Sequence, residues 1–220
     1  MRWRVEKGDL LGWTPSFIEW IANRSLTWTA YRAFMSGRMI ALDKQPGVRL
    51  IGVGETRKKL FAKCMLRSTG PKTTSACQDD QICARLKAGI DGTAHRVQAI
   101  WYTKLTTDDW GFLLIDTKKY FNEINKIVMQ WTVYHLWPSG ARFIFSCYRH
   151  WSSLVLRNRN GTSIFLHSRE GVKQREPLAM VAYGIGILLL IKNLKAEFTD
   201  IAQPWYADNA SALGMFTRVG

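Results

Sequence analysis

At 220 residues, 47% of them hydrophobic, the chain can bury one substantial core, or one core with a small subdomain. Its 31 Lys and Arg against 17 Asp and Glu leave a formal charge of +14, which disfavours a neutral partner and points to a polyanion, nucleic acid before a membrane surface. No secretory leader is expected, because Met1-Arg2-Trp3-Arg4 runs into Glu6, Lys7 and Asp9 without an apolar stretch.

Residues 1 to 46 interleave tryptophan (Trp3, Trp13, Trp20, Trp28) with arginine (Arg2, Arg4, Arg24, Arg32, Arg38) and are read as a helical segment. Thr14-Pro15-Ser16 predicts one helix start, and a second helix is expected from Thr27 to Met39. Tryptophan at three- or four-residue intervals buries a helical face, although aromatics between arginines can also stack on bases. Pro46-Gly47 marks a turn, and Val48 to Gly54 alternates like a strand. From Glu55 to Leu66 the spacing predicts a helix with Leu60, Phe61, Cys64 and Met65 on its apolar face. Arg57, Lys58, Lys59 and Lys63 cover the rest, a basic surface that either contacts phosphates or is solvated. Gly70-Pro71 predicts a loop over Ser68 to Ser75; Gln78 to Gly89 and Ala94 to Leu105 are expected as further helices. Cys64, Cys77, Cys83 and Cys147 fit neither a disulfide framework nor a zinc pattern. They are expected as reduced thiols of an intracellular protein, with nucleus and cytoplasm both open.

The rest of the chain is organised around Trp110 to Glu123. Phe112-Leu113-Leu114-Ile115 predicts a strand buried on both faces that stops at one carboxylate, Asp116. From Phe121 the spacing of Ile124, Val128, Trp131 and His135 predicts one helical face continuing until Pro138. In an open sheet ligands lie beyond strand ends, where Asp116 stands. Arg142 to Tyr148 has no clear period. Ser152 to Arg157 predicts a strand, Asn158 to Gly161 a hairpin turn, and Ser163 to His167 the returning strand. Pro177 is expected to open an apolar helix reaching about Leu194, in which Gly184 and Gly186 permit a close neighbour. Its apolar part, Met180 to Ile191, reads as too short for the roughly 20 residues of a bilayer span, so no membrane partner is expected. Trp205-Tyr206-Ala207-Asp208-Asn209 places a second acid at a hairpin tip, returning through Leu213, Met215 and Phe216. Taken singly, each acid reads first as a solvated turn residue. Converging across a sheet, the two could hold Mg²⁺, which takes few carboxylates plus substrate phosphates.

The order of these parts resembles the palm of reverse transcriptases. Asp116 has an aromatic, Phe121, five residues on; Gln174-Arg175-Glu176-Pro177-Leu178 opens a helix; Tyr206-Ala207-Asp208-Asn209 lies on a hairpin. Arg49-Leu50-Ile51 is similar to the Arg-Pro-Ile segment in the fingers of retroelement enzymes without long terminal repeats, so the likeness spans residues 47 to 216. The resemblance implies an α+β fold, a right-hand polymerase with an N-terminal helical segment (1–46), a fingers-like region (47–109) and a partial palm (110–220). The palm's antiparallel sheet would pack on helices, and the thumb would be absent. The implied activity is that of an RNA-directed DNA polymerase: template-directed nucleotidyl transfer to a primer on RNA or DNA from deoxynucleoside triphosphates, with Mg²⁺, or Mn²⁺ in its place. By this likeness Asp116, Asp208 and Asn209 are the catalytic group, and Asp116, Asp208 and the carbonyl of Thr117 the metal ligands. Arg49, Phe121, Gln174 and Tyr206 would bind the nucleotide, with Phe121 excluding a 2′-hydroxyl.

Three departures accompany the likeness. Asn209 replaces a second hairpin acid with a neutral amide, Arg175-Glu176 replaces Gly-Asp, and Leu50 stands where the fingers carry proline. They define the alternative expectation, a non-catalytic basic module that binds nucleic acid. The sequence gives no oligomeric state.

Overall fold

In the computed structural model, residues 15–21, 23, 24, 26–83, 89–104, 109–117, 119–158, 160–173 and 176–215 are described. In chain order a helix over residues 15–21 (α1) and α2 (Trp28–Met35) precede β1 (Gly37–Asp43), β2 (Val48–Gly54) and α3 (Thr56–Cys77). Then come α4 (Gly89–Lys104), β3 (Trp110–Asp116), α5 (Tyr120–Glu123), α6 (Lys126–Leu136) and α7 (Pro138–Tyr148). The remainder is β4 (Ser152–Arg157), β5 (Ser163–Ser168), α8 (Ala179–Gly186), α9 (Leu188–Glu197), β6 (Trp205–Tyr206) and β7 (Asn209–Met215).

The strands form two sheets. One has the order β2-β1-β4-β5, with β1 antiparallel to β2 and parallel to β4. Both of its hairpins turn where the sequence predicts. Pro46-Gly47 closes the first through a left-handed Gly47, and the left-handed Gly161 closes the second. The other sheet, β3-β7-β6, is antiparallel throughout.

A helical core joins them. α8 is buried on all sides because it is apolar and small, and it packs against α3 and α6. Gly186 admits α6, since a Cβ there would stand 3.0 Å from Met129 Cγ, and Gly184 admits the segment that follows α3, a Cβ there standing 2.9 Å from Cys83 Sγ. Tyr31, Phe61, Met129, Val133, Trp137 and Ile144 complete the same cluster. The four cysteines are free thiols, three of them buried.

Several expected elements differ. The helix expected over Thr27 to Met39 ends at Met35, and Gly37–Asp43 is a strand because it pairs with β2 and β4. The loop expected over Ser68 to Ser75 lies inside α3. Pro71 lacks an amide donor, but the Thr73 and Thr74 hydroxyls bond the Gly70 carbonyl and buried Gly70 packs inward, so the helix continues. Leu60, expected on the apolar face, is exposed, and Lys58, expected on the solvated one, is buried. Of the helix expected over Gln78 to Gly89, residues 78–83 are turns; 84–88 lie outside the described residues.

The helix expected to run from Phe121 to Pro138 breaks at Ile124, and α6 restarts under Asn125. The Asn125 side chain accepts hydrogen bonds from the amides of Ile127 (2.9 Å) and Val128 (3.0 Å). The break shifts the phase, so Met129, Thr132 and Val133 face the core while Val128 and Trp131 are exposed. Pro138 ends nothing; it occupies the first turn of α7, where a missing N–H has no partner to lose. β3 is an edge strand, and Phe112 to Ile115 are exposed on both faces instead of buried, Leu114 by 70%. The helical run Ala179–Glu197 proves long and apolar enough to cross a membrane, where the sequence read it as too short; half of it is buried in the fold.

Candidate active site

Asp116 ends β3, and the antiparallel register pairs it with Asn209, the first residue of β7. Asp208 sits one residue earlier, in the two-residue turn between β6 and β7, so both acids lie at one end of one sheet. The Thr117 amide donates to the Asp208 carbonyl at 3.2 Å, joining the two strand ends directly.

That turn demands a left-handed residue, and Ala207 adopts φ 53°. Gln81, fully buried and 126 residues away, holds it from both sides. Its Oε1 accepts the Ala207 amide at 2.7 Å, and its Nε2 donates to the Ala207 carbonyl at 3.2 Å. The Ile82 amide adds a bond to the Trp205 carbonyl at 2.9 Å.

Asp208 is half-buried, and its carboxyl is raised above the ordinary carboxylate range. Burial is the main cause and the Asp116 charge adds to it; its own backbone amide and a hydrogen bond from Tyr120 act the other way. Asn209 donates through Nδ2 to Asp208 Oδ1 at 3.2 Å, so the residue in place of a second acid serves as a donor to the first.

An aromatic wall stands beside the acids. Tyr120 and Phe121 have ring centroids 4.0 Å apart, and Tyr183 lies 5.0 Å from the first and 5.7 Å from the second. Burial, followed by the Asp208 charge, raises the Tyr183 hydroxyl well above its usual range. The loop approaching Gln174 is tied to this wall. Val172 donates to the Phe121 carbonyl at 2.6 Å and Gly171 to the Ile124 carbonyl at 2.9 Å. Gly171 has φ 78°, and a Cβ there would stand 2.4 Å from the Asn122 carbonyl oxygen.

The same loop is anchored on its far side by buried charge. Glu176 pairs with Lys58 at 3.5 Å, both side chains 2% exposed or less, and its carboxylate fills the space a Cβ on Gly54 would need. Lys173 donates to the Met35 carbonyl, and burial, with Lys58 nearby, lowers its ammonium to about 7. Lys126 donates to the Ser168 carbonyl at 2.9 Å and is lowered by burial to about 8.

Of the residues singled out in the sequence, Asp116, Thr117, Phe121, Asp208 and Asn209 therefore form one neighbourhood. Tyr206 is half-buried and packs toward Gly89, its hydroxyl raised by burial and then by Cys83 and Asp91. Gln174 and Arg175 lie outside the described residues, as does the Arg49 side chain; the Arg49 backbone pairs with Leu42. Sequence reading missed Tyr120, Gln81, and the Lys58–Glu176 pair. Tyr120 adjoins Phe121 and was within reach, whereas Gln81 and Lys58 had no local signal. Among the described residues no group of three or more His, Cys, Asp or Glu is set to hold a metal ion. Asp208, raised by burial and then by the Asp116 charge, is nonetheless a carboxylate whose charged form a divalent cation between the two acids would favour.

No protein-family model matches the sequence, and no curated protein does. Solved structures do match. Apo telomerase from Candida tropicalis, truncated from the C-terminal domain, superposes with a TM-score of 0.60 at 13% identity, over 93% of this chain and 49% of that one. Telomerase from Candida albicans, in complex with the TWJ fragment of telomeric RNA, gives 0.62 at 10% identity over 97% and 43%. The corresponding complex from Candida tropicalis gives 0.62 at 11% over 93% and 40%. The chain spans less than half the length of each of these structures. At such identities the likeness is one of fold: mixed α and β with antiparallel sheets, of the kind built by telomerase, a reverse-transcriptase-family enzyme.

Proposed function

We propose that this chain carries the nucleotidyl-transfer site of a reverse-transcriptase-like polymerase, with the three-stranded sheet as part of a palm and β2 with α3 in a fingers-like region. One observation carries the reading: the β3–β7 register, which brings two acids 92 positions apart in sequence to one sheet end. Asp116 and Asp208 would hold Mg²⁺ or Mn²⁺, with the Thr117 carbonyl as a further oxygen. Such an ion, once bound with its substrate, stabilises the attacking 3′ oxygen and the departing pyrophosphate. The chain's own residues supply position. Tyr120 orients the Asp208 carboxylate and Phe121 walls the sugar position; by likeness to the family, Arg49, Gln174 and Tyr206 would contact the deoxynucleoside triphosphate. The telomerase structures solved with a TWJ fragment of telomeric RNA support nucleic acid as the partner, and by likeness to the family that partner would be an RNA or DNA template with its primer. The kinship to retroelements without long terminal repeats rests on Arg49-Leu50-Ile51 alone, and an intracellular setting on the four free thiols.

Primer extension on an RNA template with Mg²⁺ or Mn²⁺ tests this. Incorporation is expected to be lost in Asp116→Asn and in Asp208→Asn while the melting curve stays cooperative; incorporation surviving both substitutions would overturn the proposal. A second reading, nucleic-acid binding without catalysis, draws on Asn209, which contributes no negative charge beside Asp208.

A further inference from the structure

Away from the acids, a pocket of about 270 Å³ opens where α2 and α6 begin, beside the segments leading into β4 and out of β5. None of the residues lining it belongs to the acid pair or its aromatic wall. Two tryptophans from distant segments flank it, Trp28 and Trp151, each 53% exposed. Trp131 is equally exposed but lies outside the pocket, so what sets Trp28 and Trp151 apart is that both line one concavity. Trp28 already rests one face on Tyr31 at 5.7 Å, with the His150 ring edge-on at 5.0 Å, so its orientation is fixed before any ligand arrives.

The charges are fixed as well. Arg169 lies with its guanidinium 4.5 Å from the Trp151 ring centroid and has no carboxylate partner among the described residues. Arg149 is used internally, donating to the Leu26 carbonyl at 2.5 Å and lying over Tyr31. The one acid in the lining, Glu170, accepts the Lys126 amide at 2.9 Å. What remains is a cation stacked on one indole and a second indole in the same lining, with the His150 ring packed edge-on against Trp28 and the Glu170 carboxylate turned to the Lys126 amide.

We infer that this pocket is a single-stranded nucleic-acid contact, taking one unpaired nucleobase between Trp28 and the Trp151–Arg169 stack with its phosphate toward Arg169 and His150. Every base has a π-face, so such a contact tolerates any sequence, and a paired base cannot enter it. The concavity favours this over a lipid surface, which needs a protruding apolar face; the overall charge of +14 suits either polyanion. The inference does not depend on the acid pair being catalytic.

The test is fluorescence anisotropy of a labelled oligouridylate of about 12 nucleotides, at low salt and without divalent ions. The full chain, Trp131→Ala, Trp151→Ala and Arg169→Ala are compared, with tryptophan quenching as a second readout. Trp151→Ala and Arg169→Ala should each weaken binding by about 10-fold and reduce quenching, Trp151→Phe should restore most of it, and Trp131→Ala, which removes an equally exposed indole outside the pocket, should bind like the unaltered chain. Equal affinity in all four chains would overturn the inference, as would a duplex of the same length binding as tightly as the single strand. Quenching by phosphatidylserine vesicles without a response to oligouridylate would also overturn it. Loss of primer extension with this binding intact counts against the acid pair alone; extension with no effect of Trp151 or Arg169 on binding counts against the pocket alone.

Discussion

Asp208 shows how a single side chain can be placed against its own preference. Partly removed from water and beside Asp116, its carboxyl binds a proton more tightly in the folded chain than in the unfolded one. The stability it contributes is present below the unfolded carboxylate value, about 3.9, and is lost as pH rises through its higher folded value. Asp208→Asn should therefore raise the melting temperature at neutral pH and flatten its fall above pH 4, while removing any nucleotidyl transfer. An Asp208→Asn chain melting below the original at pH 7 would contradict this. Lys173 has the opposite sign. Its ammonium is lowered to about 7, so folding gains as pH rises from 7 toward the ordinary lysine range, and Lys173→Met should reduce that gain in thermal melts from pH 7 to 9. The Lys58–Glu176 pair is buried and ion-paired, so removing one partner strands the other. Glu176→Ala should cost about 3–5 kcal/mol in urea unfolding, and adding Lys58→Met should recover much of it.

At the scale of elements, the hairpin that presents Asp208 depends on a glutamine far from it. Gln81→Leu leaves the amide and carbonyl of Ala207 without that partner, an expected loss of about 1–3 kcal/mol measured as a lower urea midpoint. Ala207→Gly removes a left-handed alanine and should offset about 1 kcal/mol of strain. If Ala207→Gly left stability lower, the turn conformation would not be the constraint described. The same scale explains the misread helix. The stripe from Phe121 to His135 has helical spacing, yet Asn125 can satisfy two free amides only by ending one helix and starting another, and that capping sets which side faces the core.

For the whole molecule the excess of cations matters most beyond contact range. A polyanion engaged by about six phosphates should lose roughly 10³-fold in affinity between 50 and 200 mM salt, through counterion release. Oligonucleotide binding indifferent to ionic strength would remove nucleic acid as the partner suggested by the charge of +14. The superpositions at 10–13% identity belong to this scale too. A fold tolerates such divergence when volume and apolar pattern are kept in the core, and in this chain Ala182, Gly184 and Gly186 supply the small buried positions of α8.

Some of this was written locally in the chain. The Pro46-Gly47 turn with the strand after it, the β4–β5 hairpin, the strand ending at Asp116, the acid at the Trp205-Tyr206 turn, and the buried helix after Pro177 follow from alternation, turn residues and apolar runs, which act over a few positions. Other features have no local cause. The pairing of Gly37 to Met39 as strand where a helix end was expected, the exposure of β3, the burial of Lys58 beside Glu176, and the grip of Gln81 on Ala207 each depend on what a segment meets across the fold. Hydrogen-bond partners and charge partners separated by more than a hundred residues leave no periodic trace, so only the folded chain decides where they are satisfied.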